Sequence, residues 1–375
     1  MIPYGHHDID EADVAAVVEV MRGEWLTTGP AVETFERDLQ ACTGDTPVVA
    51  VSSGTAALHT AYAAAGIAPG DEVITPPMTF IATQAAAVTL GATIVFADIC
   101  ADTANIDPLA VEAAITSRTK AIVAVDYAGH PADMDELRRI ADAHGLILIE
   151  DAAHSLGSSY HGRAVGSLAD LTAFSFFPTK NITTAEGGAV AARDPRLLQR
   201  AKEFARQGVI RDSSRHRLVD QGPWHQEVHA FGLNYRLPDV LAALGSQQLR
   251  RLVGFKARRA AVKARYDELF AETDGLVLPM QREDVDPTWH LYPLRVPAAQ
   301  RRRIFEQLRS SGIGVQVNYL PAYLHPVFAD LGFKPGLCPR AEEFYAQEIS
   351  LPMFTQLDEA AVDRVGSAVL EAIAS

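Results

Sequence analysis

The feature that most constrains this chain is a recurrence of short apolar runs at intervals of roughly 25 residues, with helix-like stretches between them. The runs are Val48–Val51, Glu72–Ile74, Thr93–Phe96, Ala121–Val125, Leu146–Ile149 and Leu171–Phe176. They do not alternate apolar with polar residues, so each is expected to be buried on both faces, as strands of a parallel sheet with crossover helices are. Helices are expected near 10–22, 31–42, 55–65, 79–89, 108–115, 133–144 and 194–206, with Asp10 and Asp133 placed to cap two of them. An open α/β sheet of this kind binds ligands outside the carboxyl ends of its strands.

From about 208 to 236 the rhythm stops in a polar stretch carrying Arg and His, and a long helical pattern then runs from Pro238 towards Leu269. Beyond it lie expected strands at 276–278, 290–296 and 314–318 and expected helices at 298–310, 340–347 and 358–373. The expectation is two domains: residues 1–237, with a mostly parallel sheet and an N-terminal segment, and residues 238–375, a connecting helix and a smaller α/β domain.

Charge and cysteine use narrow the function. Lys plus Arg number 33 against 47 Asp plus Glu, giving −14, which argues against nucleic acid or an anionic membrane as partner. No run approaches the length of an uncharged apolar span, and the N-terminus lacks a basic-then-apolar signal pattern, so a cytoplasmic protein is expected. Cys42, Cys100 and Cys338 are far apart with no Cys-x-x-Cys, and are read as buried thiols. His225 and His229 stand at i, i+4 without a completing acid-and-histidine pattern, so no metal site is expected and both are read as polar loop or subunit-contact residues. No Gly-x-Gly-x-x-Gly follows the first strand and no Walker lysine motif occurs, which argues against nicotinamide and P-loop chemistry.

The residues just past the apolar runs carry the chemistry. Ser52-Ser53-Gly54-Thr55 opens a helix whose free amides suit a phosphate, although such a turn also serves as a plain cap. Glu150-Asp151-Ala152-Ala153-His154 puts carboxylates at the end of a buried strand, where they need a cationic or donor partner. Lys180, one of six lysines, follows Phe174-Ser175-Phe176-Phe177 among apolar groups; desolvation there makes an amine nucleophilic, the alternative being a lysine that snorkels to the surface. Together at one sheet edge, these match what pyridoxal 5'-phosphate requires: a phosphate cradle, a carboxylate for the ring nitrogen and an amine for the aldehyde. Phe80 is placed to stack on the ring, or else is an ordinary core aromatic.

The sequence also resembles the DegT/DnrJ/EryC1/StrS sugar aminotransferases, a branch of fold-type-I pyridoxal-phosphate enzymes of amino-sugar biosynthesis. The resemblance covers nearly the whole chain and rests on Trp25-Leu26-Thr27-Thr28-Gly29, Ser53-Gly54-Thr55-Ala56, Gly70-Asp71-Glu72-Val73-Ile74, Glu150 to His154, Phe174-Ser175-Phe176 with Lys180 and Glu186-Gly187-Gly188, and Gly232-Leu233-Asn234-Tyr235-Arg236. It implies that Lys180 bonds the cofactor, that Asp151 pairs with the ring nitrogen, that His154 contacts the ring or its hydroxyl, and that Gly54, Thr55 and Ser175 hold the phosphate. Asn234 would come from the partner of a homodimer with shared active sites. Lysine at 180 separates the chain from sugar 3-dehydratases of the same fold, which carry histidine there. It implies cycling between the pyridoxal and pyridoxamine forms with an amino-acid donor, glutamate being usual.

Gly312 to Pro321, Tyr323-Leu324-His325-Pro326, Gly336 to Pro339 and Ile349 to Pro352 are similar to the pseudaminic-acid pathway subgroup, which aminates carbon 4 of UDP-4-keto-6-deoxy-N-acetyl-altrosamine. That implies a substrate surface made by Tyr4, Trp25, Leu26, Thr27, Gln316, Asn318 and Tyr319, with Asn318 standing where the subgroup leads one to expect histidine. Other readings are dTDP- or GDP-linked keto sugars, aminocyclitol ketones, and a non-catalytic regulatory relative; retention of Lys180 and Asp151 argues against the last. Arg211, Arg215 and Arg217 are either a solvated loop or an aid to holding the substrate diphosphate.

Overall fold

A computed structural model describes residues Met1–Ser375. Seven strands form the central sheet: β1 (Val48–Val51), β2 (Glu72–Thr75), β3 (Thr93–Phe96), β4 (Thr119–Val125), β5 (Ile147–Asp151), β6 (Leu171–Ser175) and β7 (Gly188–Ala192), in the order β1-β7-β6-β5-β4-β2-β3. The pairs from β6 through β5, β4 and β2 to β3 are parallel, while β7 runs antiparallel to both β6 and β1. Six carboxyl ends therefore share one edge, as the mostly parallel fold-type-I arrangement requires.

Each strand divides its residues alternately between two cores, so the unbroken apolar runs are satisfied. Val49, Val73, Val123 and Ile149 pack on one face, and Ala50, Ile74, Ala124 and Leu148 on the other. Asp10 caps α1 (Glu11–Arg22) in a reciprocal box with Asp13, and Asp133 caps the helix Met134–His144 as expected. Strand β7 was not legible in the sequence. It is short, rich in alanine and begins at a glycine, a composition with little strand propensity, and it forms because β1 and β6 flank it on either side. A Cβ at Gly188 would lie 2.5 Å from the Ser53 carbonyl and 2.7 Å from that of Phe174.

The helix Asp239–Phe270 leaves the central sheet and enters a third core with the helices Ala298–Ser310 and Glu359–Ala374 and an antiparallel pair, β8 (Tyr292–Arg295) and β9 (Glu348–Leu351). Strands expected at 276–278 and 314–318 reduce to the single bridges Val277 to Arg295 and Gln316 to Ser350. The second segment is wedged between β9 and the N-terminus, with the Gly314 N–H donating to the Ile2 carbonyl. Ile2 itself belongs to the third core, so the N-terminal segment crosses from one unit to the other. The helix expected near 79–89 is confined to Ala82–Val88. Only Cys338 is buried; Cys42, the last residue of the helix Pro30–Cys42, and Cys100, in the loop after β3, are half-buried. No helix is long and apolar enough to cross a membrane.

Candidate active site

A cavity of about 390 Å³ opens at the carboxyl edge of the sheet. Gly54, Thr55, Phe80, Asp151, His154, Ser175 and Lys180 line it from the large sheet, and Tyr4, Asn318 and Tyr319 close it from the opposite side.

Asp151 ends β5 at 5 % exposure. Its carboxylate accepts hydrogen bonds from Thr83 Oγ1 at 2.7 Å and the Ala153 N–H at 3.2 Å, and Thr83 in turn meets Thr79 Oγ1 at 2.8 Å. Burial pushes its pKa up, and these donors and the Lys180 charge oppose the shift. A buried acid held by neutral donors is ready to take a cationic partner.

Lys180 sits in the turn after β6. Its N–H donates to the Phe177 carbonyl, and the neighbouring Asn181 amide donates to the carbonyls of His154 and Leu156, which ties the lysine turn to the segment after β5. Loss of hydration pushes the ammonium down to about 8, with Asp151 opposing. The amine is thus partly free near neutral pH, the condition for a nucleophile and proton carrier.

His154 is buried, and burial followed by the Lys180 charge holds it well below its usual pKa, so it is neutral. Its Nε2 meets the Tyr319 hydroxyl at 3.2 Å, its ring lies 4.3 Å from that of His290, and Nδ1 has no partner.

Helix α2 (Gly54–Ala65) begins at the cavity, capped by Ser53, whose hydroxyl accepts from the Ala56 N–H. The amides of Gly54 and Thr55 at its first turn are left for an anion. A Cβ at Gly54 would stand 2.7 Å from Cβ and Oγ of Ser175, so only glycine allows this close approach of turn and strand. Cradle, buried acid, unpartnered His154 nitrogen and depressed lysine fit pyridoxal phosphate.

The opposite wall is a continuous network. Asn318 donates through Nδ2 to Tyr4 Oη at 2.6 Å and Ser350 Oγ at 3.0 Å, and through its backbone N–H to Glu348 Oε2 at 2.7 Å. Its carbonyl accepts from the Tyr127 hydroxyl.

Phe80 is 60 % exposed at the cavity mouth, its ring 6.3 Å from that of Tyr319. Trp25, Leu26, Thr27, Gln316 and Asn234 are exposed and stand away from the cavity in the single chain. The first three are displaced because the Leu26 carbonyl is tied to the Asp239 N–H at the start of the long helix. Arg211, Arg215 and Arg217 do not line it either; Arg215 pairs with Glu203 at 2.5 Å. His225 and His229 both bind the Glu227 carboxylate, which the N–H groups of Arg217 and Leu218 also fill. The sequence reading missed Thr79, Thr83, Tyr127, His290, Glu348 and Ser350. Only Ser350, inside a quoted motif, carried any signal.

The model of the DegT/DnrJ/EryC1/StrS aminotransferase family matches residues 7–370. The chain is 38% identical over 378 residues to the spore coat polysaccharide biosynthesis protein SpsC of Bacillus subtilis, covering 99% of this chain and 97% of that one. Among solved structures it is similar to the putative sugar aminotransferase Spr1654 of Streptococcus pneumoniae in its PMP form, at TM-score 0.93 and 33% identity over 100% and 99% of the two chains. It is also similar to PseC of Helicobacter pylori, an aminotransferase involved in pseudaminic acid biosynthesis, at TM-score 0.92 and 33% identity over 100% and 99%. The chain belongs to the DegT/DnrJ/EryC1/StrS aminotransferase family, and its cofactor is pyridoxal 5'-phosphate.

Proposed function

We propose that the chain moves an amino group from an amino acid, glutamate being the expected donor, to carbon 4 of a nucleotide-linked keto-deoxy sugar, with UDP-4-keto-6-deoxy-N-acetyl-altrosamine as acceptor. The observation that carries the chemistry is the meeting of Lys180, Asp151 and the α2 N-terminus around one cavity. The likeness to PseC supports the choice of acceptor.

When bound, the cofactor supplies an electron sink that lets a proton leave the substrate carbon. Asp151 holds positive charge at the ring nitrogen, and Thr83 fixes the orientation of its carboxylate. Gly54, Thr55 and Ser175 would hold the phosphate, His154 would contact the ring without adding charge, and Phe80 would stack on it. Lys180 would hold the resting cofactor through its amine and would carry a proton at Nζ in both halves of the cycle. Tyr4, Asn318 and Tyr319 orient the sugar.

Residues 1–237 hold the cofactor on this reading, and 238–375 close the acceptor side together with Tyr4 of the N-terminal segment. A second copy completes the site: Trp25, Leu26, Trp224 and Phe231 leave large apolar surface exposed on one chain, and Asn234 reaches the partner's phosphate. Trp25, Leu26, Thr27 and Gln316 meet the sugar nucleotide in that assembly. Asn318, standing where histidine is expected, favours a second reading in which the acceptor is a dTDP- or GDP-linked keto sugar or an aminocyclitol ketone.

The test is to convert the purified enzyme to its pyridoxamine form with glutamate, remove the donor and add the UDP-keto sugar. Return of the visible cofactor band supports the assignment. Conversion by glutamate without return by this sugar leaves the aminotransferase and redirects the acceptor.

A further inference from the structure

The acceptor-side network contains a buried acid that the reaction does not use. Glu348 on β9 is 0 % exposed and has no cationic side chain hydrogen-bonded to it. Its Oε2 accepts from the Asn318 N–H, and its Oε1 accepts from the Ser350 hydroxyl. A hydroxyl has one proton to give. Having given it to Glu348, Ser350 can only accept from Asn318, which fixes nitrogen as the end of the Asn318 amide facing Ser350 and Tyr4. The backbone N–H, the carbonyl and Nδ2 of Asn318 are then all bonded within the fold, and Oδ1 alone makes no hydrogen bond, in a residue that lines the cavity.

The chain of bonds can run the other way. A protonated Glu348 would donate to Ser350, which would then donate to Asn318 Oδ1. The Tyr4 hydroxyl can do likewise, and the amide turns over to present its NH2 to the cavity.

We propose that the proton on Glu348, relayed through Ser350, decides whether Asn318 offers the acceptor substrate a hydrogen-bond acceptor or a donor, so that the ionised enzyme selects sugars carrying a hydroxyl or amide N–H at this position. The proposal rests on the acceptor-wall reading above and makes Glu348 and Ser350 positioning residues.

The surroundings leave Glu348 as the group in this network that titrates. Loss of hydration pushes it up to about 8, against its bonds to Ser350 and Asn318 and the charge of Arg301 on the helix Ala298–Ser310. Tyr4 from the N-terminal segment, Tyr127 from the turn after β4 and Tyr319 beside Asn318 also face it, and all three are held above the usual phenol range by burial. Arg295, opposite Glu348 on β8, stacks 5.4 Å from the Phe344 ring. Across the cavity, Lys180 titrates in the same window, so the variant and not the pH profile alone must separate the two.

The experiment follows both half-reactions of the holoenzyme from pH 7 to 9, with glutamate and with UDP-4-keto-6-deoxy-N-acetyl-altrosamine. In the wild type, the apparent Kd for the sugar should fall about tenfold as pH rises through 8, relative to that for glutamate, the size of one well-made hydrogen bond. In Glu348→Gln the side-chain amide donates permanently to Ser350, so the sugar stays at the weaker value and this dependence disappears. Ser350→Ala cuts the relay, so it too should lose the dependence, and it decides the matter if the first variant does not fold. An infrared titration of the enzyme should show a carboxyl band lost near pH 8 that Glu348→Gln lacks. Wild-type pH dependence persisting in either variant overturns the proposal. If the wild type does not react with this sugar at any pH, the acceptor assignment fails instead, and the infrared titration then decides, absence of a Glu348 band overturning the proposal.

Discussion

The wall of the cavity that carries Asp151, Ser175 and Lys180 and the wall that carries Tyr4, Asn318 and Tyr319 are built on different principles. On the first, each side chain stands at or just beyond the end of a buried strand, so the local sequence delivers it to the cavity. On the second, Tyr4 Oη and Asn318 Nδ2 meet across 314 positions, and three further residues outside the lining hold them there. The first wall is hard to change without losing chemistry altogether. On the proposals made above, the second can change its polarity through one proton or one substitution, which would suit a surface that distinguishes related sugars.

The largest effect expected from breaking this contrast is at Lys180. Lys180→Ala should abolish turnover and remove the visible band of the lysine-bound cofactor; a variant that still cycled would move the nucleophile elsewhere. Because the free amine is the reactive form and lies near 8, the rate at which apoenzyme takes up pyridoxal phosphate should climb as pH rises through that value and level off above it. A profile flat between pH 6 and 9 would show that the lysine is not desolvated.

Asp151→Asn should lower kcat by about 100- to 1000-fold with cofactor still bound, since an amide cannot hold the ring nitrogen charged. Near-normal rates would mean that another group does so. Thr83→Val removes a donor to the buried carboxylate, which raises the Asp151 pKa further. It should cost about tenfold in kcat, with the acidic limb of the pH profile moved upward. An unmoved limb would show that Thr83 does not hold Asp151.

The smallest effect belongs to the other wall. Tyr319→Phe removes the hydroxyl that meets His154 and should change the KM for the sugar by only a few-fold, leaving the glutamate half-reaction nearly intact. A large loss in both halves would erase the distinction between the walls.

The cofactor wall was legible because reactive residues at strand ends need only local information. An apolar run followed by an acid, a small-residue turn or a lysine says both where the chain emerges and what it offers there. Thr83 escaped notice because a threonine in a helix acquires meaning only when β5 delivers Asp151 beside it. Glu348 was hidden among ordinary glutamates, since it pairs with β8 on one side and meets Asn318 through the Gln316 to Ser350 bridge on the other, and no local pattern announces either. Strand β7 was missed for the same reason: its flanking strands, not its alanines, make it a strand. Trp25, Leu26, Thr27, Gln316 and Asn234, quoted from motifs, lie outside the cavity of one chain, because a motif records a pattern along the sequence and not which cavity its residues reach.

The sequence alone determined the parallel sheet, the edge at which ligands bind, and the lysine and acid that face one another there, because hydrophobic periodicity and residue chemistry are local properties. Tertiary structure alone decided the ionisation of those groups, the donors that hold Asp151, and the polarity of the surface offered to the acceptor. These depend on desolvation and on hydrogen bonds between segments far apart in the chain, and neither exists until the chain has folded.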